Sequence, residues 1–285
     1  MRLITDERVI SENGQPVDYV FLGDLHIGSG NCAYKELSDT IREISNNEHS
    51  RVILNGDLID CITHKDKRFD AGDIADHYNI KQLRDLPVAQ MDELFDIIMP
   101  IKDKIIAMIY GNHEYSYMKY NGFDPLNYFN GKLGINAEIL GKKGYIISSI
   151  RKGDAKGRTW VMCAMHGRGG GGRTAGYKYN NVDAEFARII ADCKVQGHIH
   201  QQGADFIDYE MVNTNGDHKL IKMKRMWQGS HGCYLYKSAM DKESYFEDGH
   251  GMHSSIGYLT YRIIYSQNAD YCESTLIRKD YIQHL

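Results

Sequence analysis

Five times along this chain an apolar run that reads as a β-strand stops at a glycine or a tight turn and hands over to Asp, Asn or His. The exits are GDLH (Asp24, His26), NGDLID (Asp57), GNHE (Asn112, His113), CAMHG (His166) and GHIH (His198, His200). A strand buried on both faces cannot carry such groups along its length, because an unpaired buried charge is expensive. At its carboxyl end it can, and in open α/β sheets those ends converge on one crevice. The pattern therefore restricts the chain to a fold whose strands deliver donors from distant positions to a common point. Glycine before the donor permits the sharp turn. In FLGDLH, side-chain alternation of period two is expected to put Asp24 and His26 on the same side.

The intervening segments agree with that reading. Val17–Leu22, Arg51–Asn55 and Ile105–Tyr110 read as strands, and Lys35–Asn46 and Ile80–Ile98 read as helices. Pro87 is expected to break or kink the second helix, and Pro100 to close it. Strand, helix, strand, helix, strand predicts parallel crossovers. The second half is richer in strands. GYIISSI and TWVMCAMH read as a pair joined by the turn RKGDAKGR, Asp183–Asp192 as a helix, and CKVQGHIH as a strand ending in paired histidines. Further strands are expected around Phe206–Met211, Leu220–Trp227, Gly257–Ile264 and Glu273–Arg278. No Pro- or Ser-rich linker interrupts residues 1–285, so a single domain is expected, its core motifs lying between Val17 and Gly232.

Composition narrows the function classes. A chain that is 42% hydrophobic and 25% charged has ordinary globular character. A net charge of −4 argues against a general polyanion-binding face, though not against a local basic groove. The six cysteines are scattered without a CxxC pair and read as thiols in a reducing compartment. The N-terminal stretch has no apolar signal region, and no run is long enough to span a membrane. A cytoplasmic protein without membrane association is the expectation.

The donors at the exits define the chemistry. Asp24, His26, Asp57, Asn112, His166, His198 and His200 are seven oxygen and imidazole donors, with no cysteine among them. One ion takes about four to six ligands, protein and water together, so seven protein donors exceed a single site. Two ions about 3.5–4 Å apart, bridged by a carboxylate, would use them all.

D-x-H, G-D, G-N-H-E, a lone His and G-H-x-H, in that order from Asp24 to His200, resemble the calcineurin-like metallophosphoesterase superfamily. The resemblance implies a four-layer α/β/β/α sandwich with two mixed sheets and a dinuclear metal site at strand C-terminal ends. By motif position, Asp24, His26 and His200 would hold the first metal, and Asp57 would bridge. Asn112, His166 and His198 would hold the second. Two cations lower the pKa of a bridging water, and in-line attack of that hydroxide on a phosphoester is the implied reaction. His113 matches the family histidine that faces the substrate, and is the candidate catalytic group for the leaving oxygen. Glu114 reads as a structural group. Asp60, His64 and Asp66 lie just past Asp57 and could line the cleft, with a solvated loop the expectation. On family resemblance Mn²⁺ is the expected metal, with Fe or Zn²⁺ compatible with the same donors.

Departures from the family pattern bear on the substrate. Phosphoprotein phosphatases of this superfamily carry D-R-G after the bridging Asp and an Arg before GNHE; here those places hold LIDCIT and Tyr110. GHIH is closer to repair nucleases and cyclic-nucleotide phosphodiesterases. A phosphodiesterase acting on nucleotides, DNA or RNA is therefore expected ahead of a phosphomonoesterase, with a non-catalytic metal-bound scaffold third. The Gly-rich stretch Gly167–Gly176 offers Arg168 and Arg173 as substrate contacts, and WQGSHG places His231 at the site rim. His250 and His253 are ambiguous.

Overall fold

The computed structural model describes residues 2–62, 69–169, 174–213, 220–236, 254–267 and 272–281. Its strands are β1 (Arg2–Ile10), β2 (Pro16–Leu22), β3 (Ser50–Asn55), β4 (Ile105–Ile109), β5 (Glu138–Ile139), β6 (Lys143–Lys152), β7 (Arg158–Met165), β8 (Cys193–Gln196), β9 (Gln202–Asn213), β10 (Leu220–His231), β11 (Ile256–Ile264) and β12 (Glu273–Tyr281). Its helices are α1 (Tyr34–Asn46), α2 (Ile80–Leu83), α3 (Leu86–Ile98), α4 (Asn112–Asn121), α5 (Pro125–Leu133) and α6 (Tyr177–Phe186).

The strands form two six-stranded sheets, ordered β12-β11-β2-β3-β4-β5 and β1-β6-β7-β8-β10-β9. Both are mixed. In the first, β2 to β5 run parallel and β11 joins β2 antiparallel. In the second, β7, β8 and β10 are parallel while β6 and β9 run against them.

Three apolar interfaces separate four layers. Leu37, Ile41, Leu94, Ile98 and Phe129 from the helices meet Leu22, Leu54 and Met108 of the first sheet. Tyr19, Phe21, Ile53 and Ile109 meet Ile146, Met162 and Val195 between the sheets. Val182 and Phe186 of α6 meet Cys163 and Met165 on the far face of the second sheet. Central strands buried on both faces carry near-continuous apolar runs, as β2 and β3 do. The architecture is the expected α/β/β/α sandwich.

Local chemistry explains the helices. In α1, Leu37, Thr40, Ile41 and Ile44 are buried, a stripe of helical spacing. Pro87 lies in the first turn of α3 and starts that helix rather than kinking a longer one, because its missing N–H falls where no intrahelical partner exists. The stretch expected as one helix is therefore α2 and α3. The helix expected over Asp183–Asp192 lies earlier, over α6. Asp192 donates its N–H to the Val161 carbonyl and accepts the Val161 N–H on Oδ2, each at 2.7 Å. The chain must leave the helix after Phe186 to make that bridge and enter β8.

Candidate metal centre

All five sequence exits lie at strand carboxyl ends: β2, β3 and β4 from the first sheet, β7 and β8 from the second. Backbone bonds tie the exits together. Asp24 N–H donates to the Gly56 carbonyl at 2.8 Å, His26 N–H to the Asp57 carbonyl at 3.1 Å, and Gly197 N–H to the His166 carbonyl at 3.0 Å. The Asn55 amide donates to the Met165 carbonyl at 3.0 Å, joining the two sheets directly beneath the site.

The turns are strained in a selective way. Among the described residues, six non-glycine positions have φ in the left-handed region: Asp24 (49°), His26 (50°), Asp57 (47°), Cys61 (55°), His198 (70°) and His200 (55°). Five of the six are candidate metal donors, and each conformation costs roughly 1 kcal/mol or more. Period-two alternation, the reason given by the sequence for pairing Asp24 with His26, does not apply where neither residue is extended. Two left-handed turns aim the pair instead.

The donors gather in two groups. Asp24, His26 and His200 place ligand atoms within 4.8 Å of one another, and so do Asp57, His166 and His198. In the first group His26 Nε2 lies 3.2 Å from His200 Nε2. In the second, His166 Nε2 lies 3.0 Å from Asp57 Oδ2, 3.0 Å from Asn112 Oδ1 and 3.2 Å from His198 Nδ1. Asp24 also approaches the other side of the His166 ring, with Oδ1 at 3.5 Å from Nδ1. Two nitrogens each about 2.0–2.1 Å from one divalent ion at near right angles lie roughly 3 Å apart. The spacing inside each group matches that requirement. His166 Nδ1 faces the Asn55 carbonyl at 3.1 Å, so the ring donates there and presents the Nε2 lone pair to the second group. Asp24 Oδ1 is buried without a hydrogen-bond partner among the described residues. Such an orphaned carboxylate oxygen fits a cation-binding site. The residues present thus suit two divalent ions of oxygen- and imidazole-loving character.

The electrostatics point the same way. Burial pushes the Asp24 carboxyl well above its usual range, against the pull of His166. Burial also acts to raise Asp57, but His166 and His113 hold it well below the usual range. Burial would lower His166, yet Asp57 and Asp24 bring it up to about 10. His198 falls to about 4 through burial and the charge of His166, and His200 falls well below normal through burial and His26. The carboxylates thus favour positive charge beside His166, the place a metal cation would take, while burial keeps His198 and His200 neutral and able to ligate.

Glu114 sits beneath the donors and is fully buried. Its carboxylate accepts the N–H groups of Asp57 (3.1 Å), Leu58 (2.5 Å), Ile59 (3.3 Å) and Gly111 (3.1 Å). It fixes the exit of β3 and, by accepting the Gly111 N–H, closes the first turn of α4. Gly111 leaves no room for a side chain, since a Cβ there would lie 2.0 Å from Asp57 Oδ1 and 2.1 Å from Asp57 N.

Asp60 corrects the expectation of a solvated loop. Its Oδ1 is 3.6 Å from His26 Nδ1 and 3.8 Å from His113 Nδ1, and its side chain is 13% exposed. Its backbone carbonyl bonds His113 Nδ1. His113 therefore directs Nε2 into the site, 3.9 Å from Asp57 Oδ2, while its own N–H donates to Asp57 Oδ1 at 3.0 Å. The spacing of NGDLID held this signal, since three residues past Asp57 is close enough to return to the same cleft.

The suggested substrate contacts fare differently. His231 is completely buried rather than at the rim; a Cβ on Gly197 would lie 2.6 Å from its Nε2 and 3.0 Å from Asp24 Oδ2. It packs under the ligand turn because β10 carries it inward to its last residue. Arg168 extends into solvent and pairs with Glu185 of α6 at 2.7 Å. Arg173, His64, Asp66, His250 and His253 lie outside the described residues.

Two sheets that bring seven oxygen and imidazole donors to their shared edge, in two groups, define a metallophosphoesterase-type scaffold. The profile of the calcineurin-like phosphoesterase family matches residues 18–202, and the chain belongs to that family. Comparison with curated proteins gave no match. Among solved structures, a conserved uncharacterized protein from Streptococcus pneumoniae TIGR4, titled a predicted phosphoesterase, is 10% identical, with 93% of this chain and 90% of that one covered and a TM-score of 0.33. A Vps29 double mutant from Entamoeba histolytica is 10% identical, covers 92% of this chain and 100% of its own, and has a TM-score of 0.36. NAD nucleotidase from Haemophilus influenzae is 11% identical, with 95% of this chain and 51% of that chain covered and a TM-score of 0.40.

Proposed function

We propose that the protein is a metal-dependent phosphodiesterase acting on nucleotides or nucleic acid. The observation that carries the reading is the pair of donor groups, one built around the His26–His200 contact at 3.2 Å and one around the His166–Asp57 contact at 3.0 Å. Two divalent ions, when bound, supply a water of lowered pKa and positive charge for phosphoryl oxygens. Asp24, His26 and His200 would hold one, Asn112, His166 and His198 the other, and Asp57 both. Mn²⁺ is the proposed metal.

The side chains supply the rest. His113, held at Nδ1 by the Asp60 carbonyl, carries a proton at Nε2 toward the leaving oxygen. As the P–O bond to that oxygen breaks, the proton moves from Nε2 to it and the alcohol departs neutral. Glu114 keeps Asp57 in place throughout. A diester is supported over a monoester by charge. A monoester dianion calls for added cationic clamps; the position before GNHE holds a neutral tyrosine, and Arg168 is already paired. Tyr110 donates its hydroxyl to Asp124 at 2.6 Å, and Arg168 would have to exchange Glu185 for phosphate. No disulfide joins the six cysteines, five of which are buried, and this supports a reducing, cytoplasmic setting. Among the described residues no helix is long and apolar enough to cross a membrane.

The test is Mn²⁺-reconstituted protein on bis-p-nitrophenyl and p-nitrophenyl phosphate, followed by single- and double-stranded DNA, RNA, cyclic nucleotides and phosphopeptides. The diester should be favoured at least tenfold in kcat/KM, and chelation should abolish turnover. Preference for the monoester would move the assignment to a phosphomonoesterase. Metal binding without hydrolysis of either would indicate a scaffold.

A further inference from the structure

A cavity of about 390 Å³ opens between Phe69, Leu83, Arg84, Asp85, Tyr117 and Asn121. That volume falls within the range of about 300–1,000 Å³ usual for small-ligand sites. Its position is set by α4. His113 and Tyr117 are four residues apart on that helix, so they share one face and neighbour each other. Tyr117 is also close enough to Cys61 and Asp85 for their charges to act on its phenol. Cys61 directly follows Asp60, whose carbonyl holds His113. The cavity thus lies one helical turn along α4 from His113.

That position has a chemical meaning. The group that receives the His113 proton is the leaving oxygen, so a cavity one turn from His113 is on the leaving-group side. Two aromatic rings are present there. Phe69 is 38% exposed, and the Tyr117 ring is steadied by an edge-to-face contact with Phe123 at a centroid distance of 6.2 Å. Arg84, Asp85 and Asn121 add a guanidinium, a carboxylate and an amide around the same space. Aromatic faces with a few polar groups are the chemistry that stacks a nucleobase and bonds its edge.

We infer that this cavity is the subsite for the leaving-group nucleoside, its base held by Phe69 and Tyr117. The inference rests on the phosphodiesterase reading and adds to it which half of the substrate is recognised, and where. It also fixes a direction. The strand portion that departs binds along α4, and the portion that keeps the phosphate lies toward Asn112 and His166.

The experiment compares thymidylyl-thymidine with an analogue lacking only the base of the leaving nucleoside. Both are assayed with Mn²⁺ in the wild type and in a Phe69→Ala/Tyr117→Leu variant. In the wild type the base should raise kcat/KM at least fivefold and up to about 150-fold, the range that base–aromatic stacking supplies. In the variant the ratio should fall to about one. Because the ratio is taken within each protein, a general loss of activity does not mimic the effect. No base preference in the wild type, or a preference that survives in the variant, overturns the inference. So does an equal gain from a 2-phenylethanol leaving group, an alkyl alcohol that carries a ring but no base edge, which would indicate a general aromatic pocket instead. Hydrolysis of bis-p-nitrophenyl phosphate tests the diesterase reading separately. Should that hydrolysis fail, saturation-transfer NMR with thymidine on metal-free protein still decides the cavity. Transfer to the base in the wild type that disappears in the variant supports the subsite, and no transfer in the wild type refutes it.

Discussion

Replacing Glu114 by Ala should do more damage than its distance from the chemistry suggests. The carboxylate is fully buried and accepts four backbone N–H groups, from Asp57, Leu58, Ile59 and Gly111. Each buried donor left without a partner costs about 1–3 kcal/mol. The sum overstates the effect, because water can enter the space and neighbouring losses are not additive. A destabilisation of about 3–6 kcal/mol is expected, a large share of the roughly 5–15 kcal/mol that holds a typical domain. The same bonds fix the turn that presents Asp57 between the two donor groups, so metal affinity should fall with stability. Urea unfolding at unchanged m-value gives the first quantity. Elemental analysis after dialysis against limiting Mn²⁺ gives the second. Glu114→Gln should be intermediate, since its amide oxygen can accept but its NH₂ faces donors. A Glu114→Ala protein within 1 kcal/mol of wild type that keeps two metals would refute the reasoning.

Four further outcomes are expected. His113→Ala should lower kcat by about 10²–10⁴ on a diester with a poor leaving group while both metals stay bound; near-normal turnover of that ester would remove its acid role. Asp57→Asn should reduce metal content as well as rate, and unchanged stoichiometry by elemental analysis would count against a shared ligand. Gly111→Ala should destabilise or displace the Asp57 turn, because a Cβ there would lie 2.0 Å from Asp57 Oδ1; a crystal structure with the turn unmoved would contradict this. Burial pushes the Cys163 thiol up to about 11. Only about one molecule in a thousand then carries the thiolate at pH 8, so iodoacetamide labelling, followed by mass spectrometry, should be far slower in the native protein than in urea.

The parts of this molecule legible in the sequence are those with strong local signals. β2, β3 and β4 stand out as short apolar runs stopped by glycine, because strands buried on both faces must be apolar throughout. The donors stand out because they recur at those stops. β1 does not, since RLITDERVI is an edge strand whose side chains alternate between half-buried and exposed, and its polar half hides the pattern. α4 and α5 escape the sequence pattern for a related reason. α4 begins within the GNHE exit itself, and only Glu114's bonds to β3 show why a helix must start there. The expected boundary of α6 is displaced because Ile189 and Ile190 extend the apolar pattern beyond the point where Asp192 must turn to meet Val161.

The sequence by itself determined the chemical identity of the site: which donors, in what order, after which strands, with no thiol among them. Tertiary structure decided how they divide, with His26 facing His200 and His166 facing Asp57, Asn112 and His198. It also moved Asp60 from solvent to the back of His113 and His231 from the rim to the interior. The reason is physical. Residue type and spacing fix what each strand end can offer, but φ values in the left-handed region at five of the donors set where each points. Those angles are held by contacts between segments far apart in the chain, such as Glu114 on the Asp57 turn and Asp24 on Gly56, which no single segment encodes.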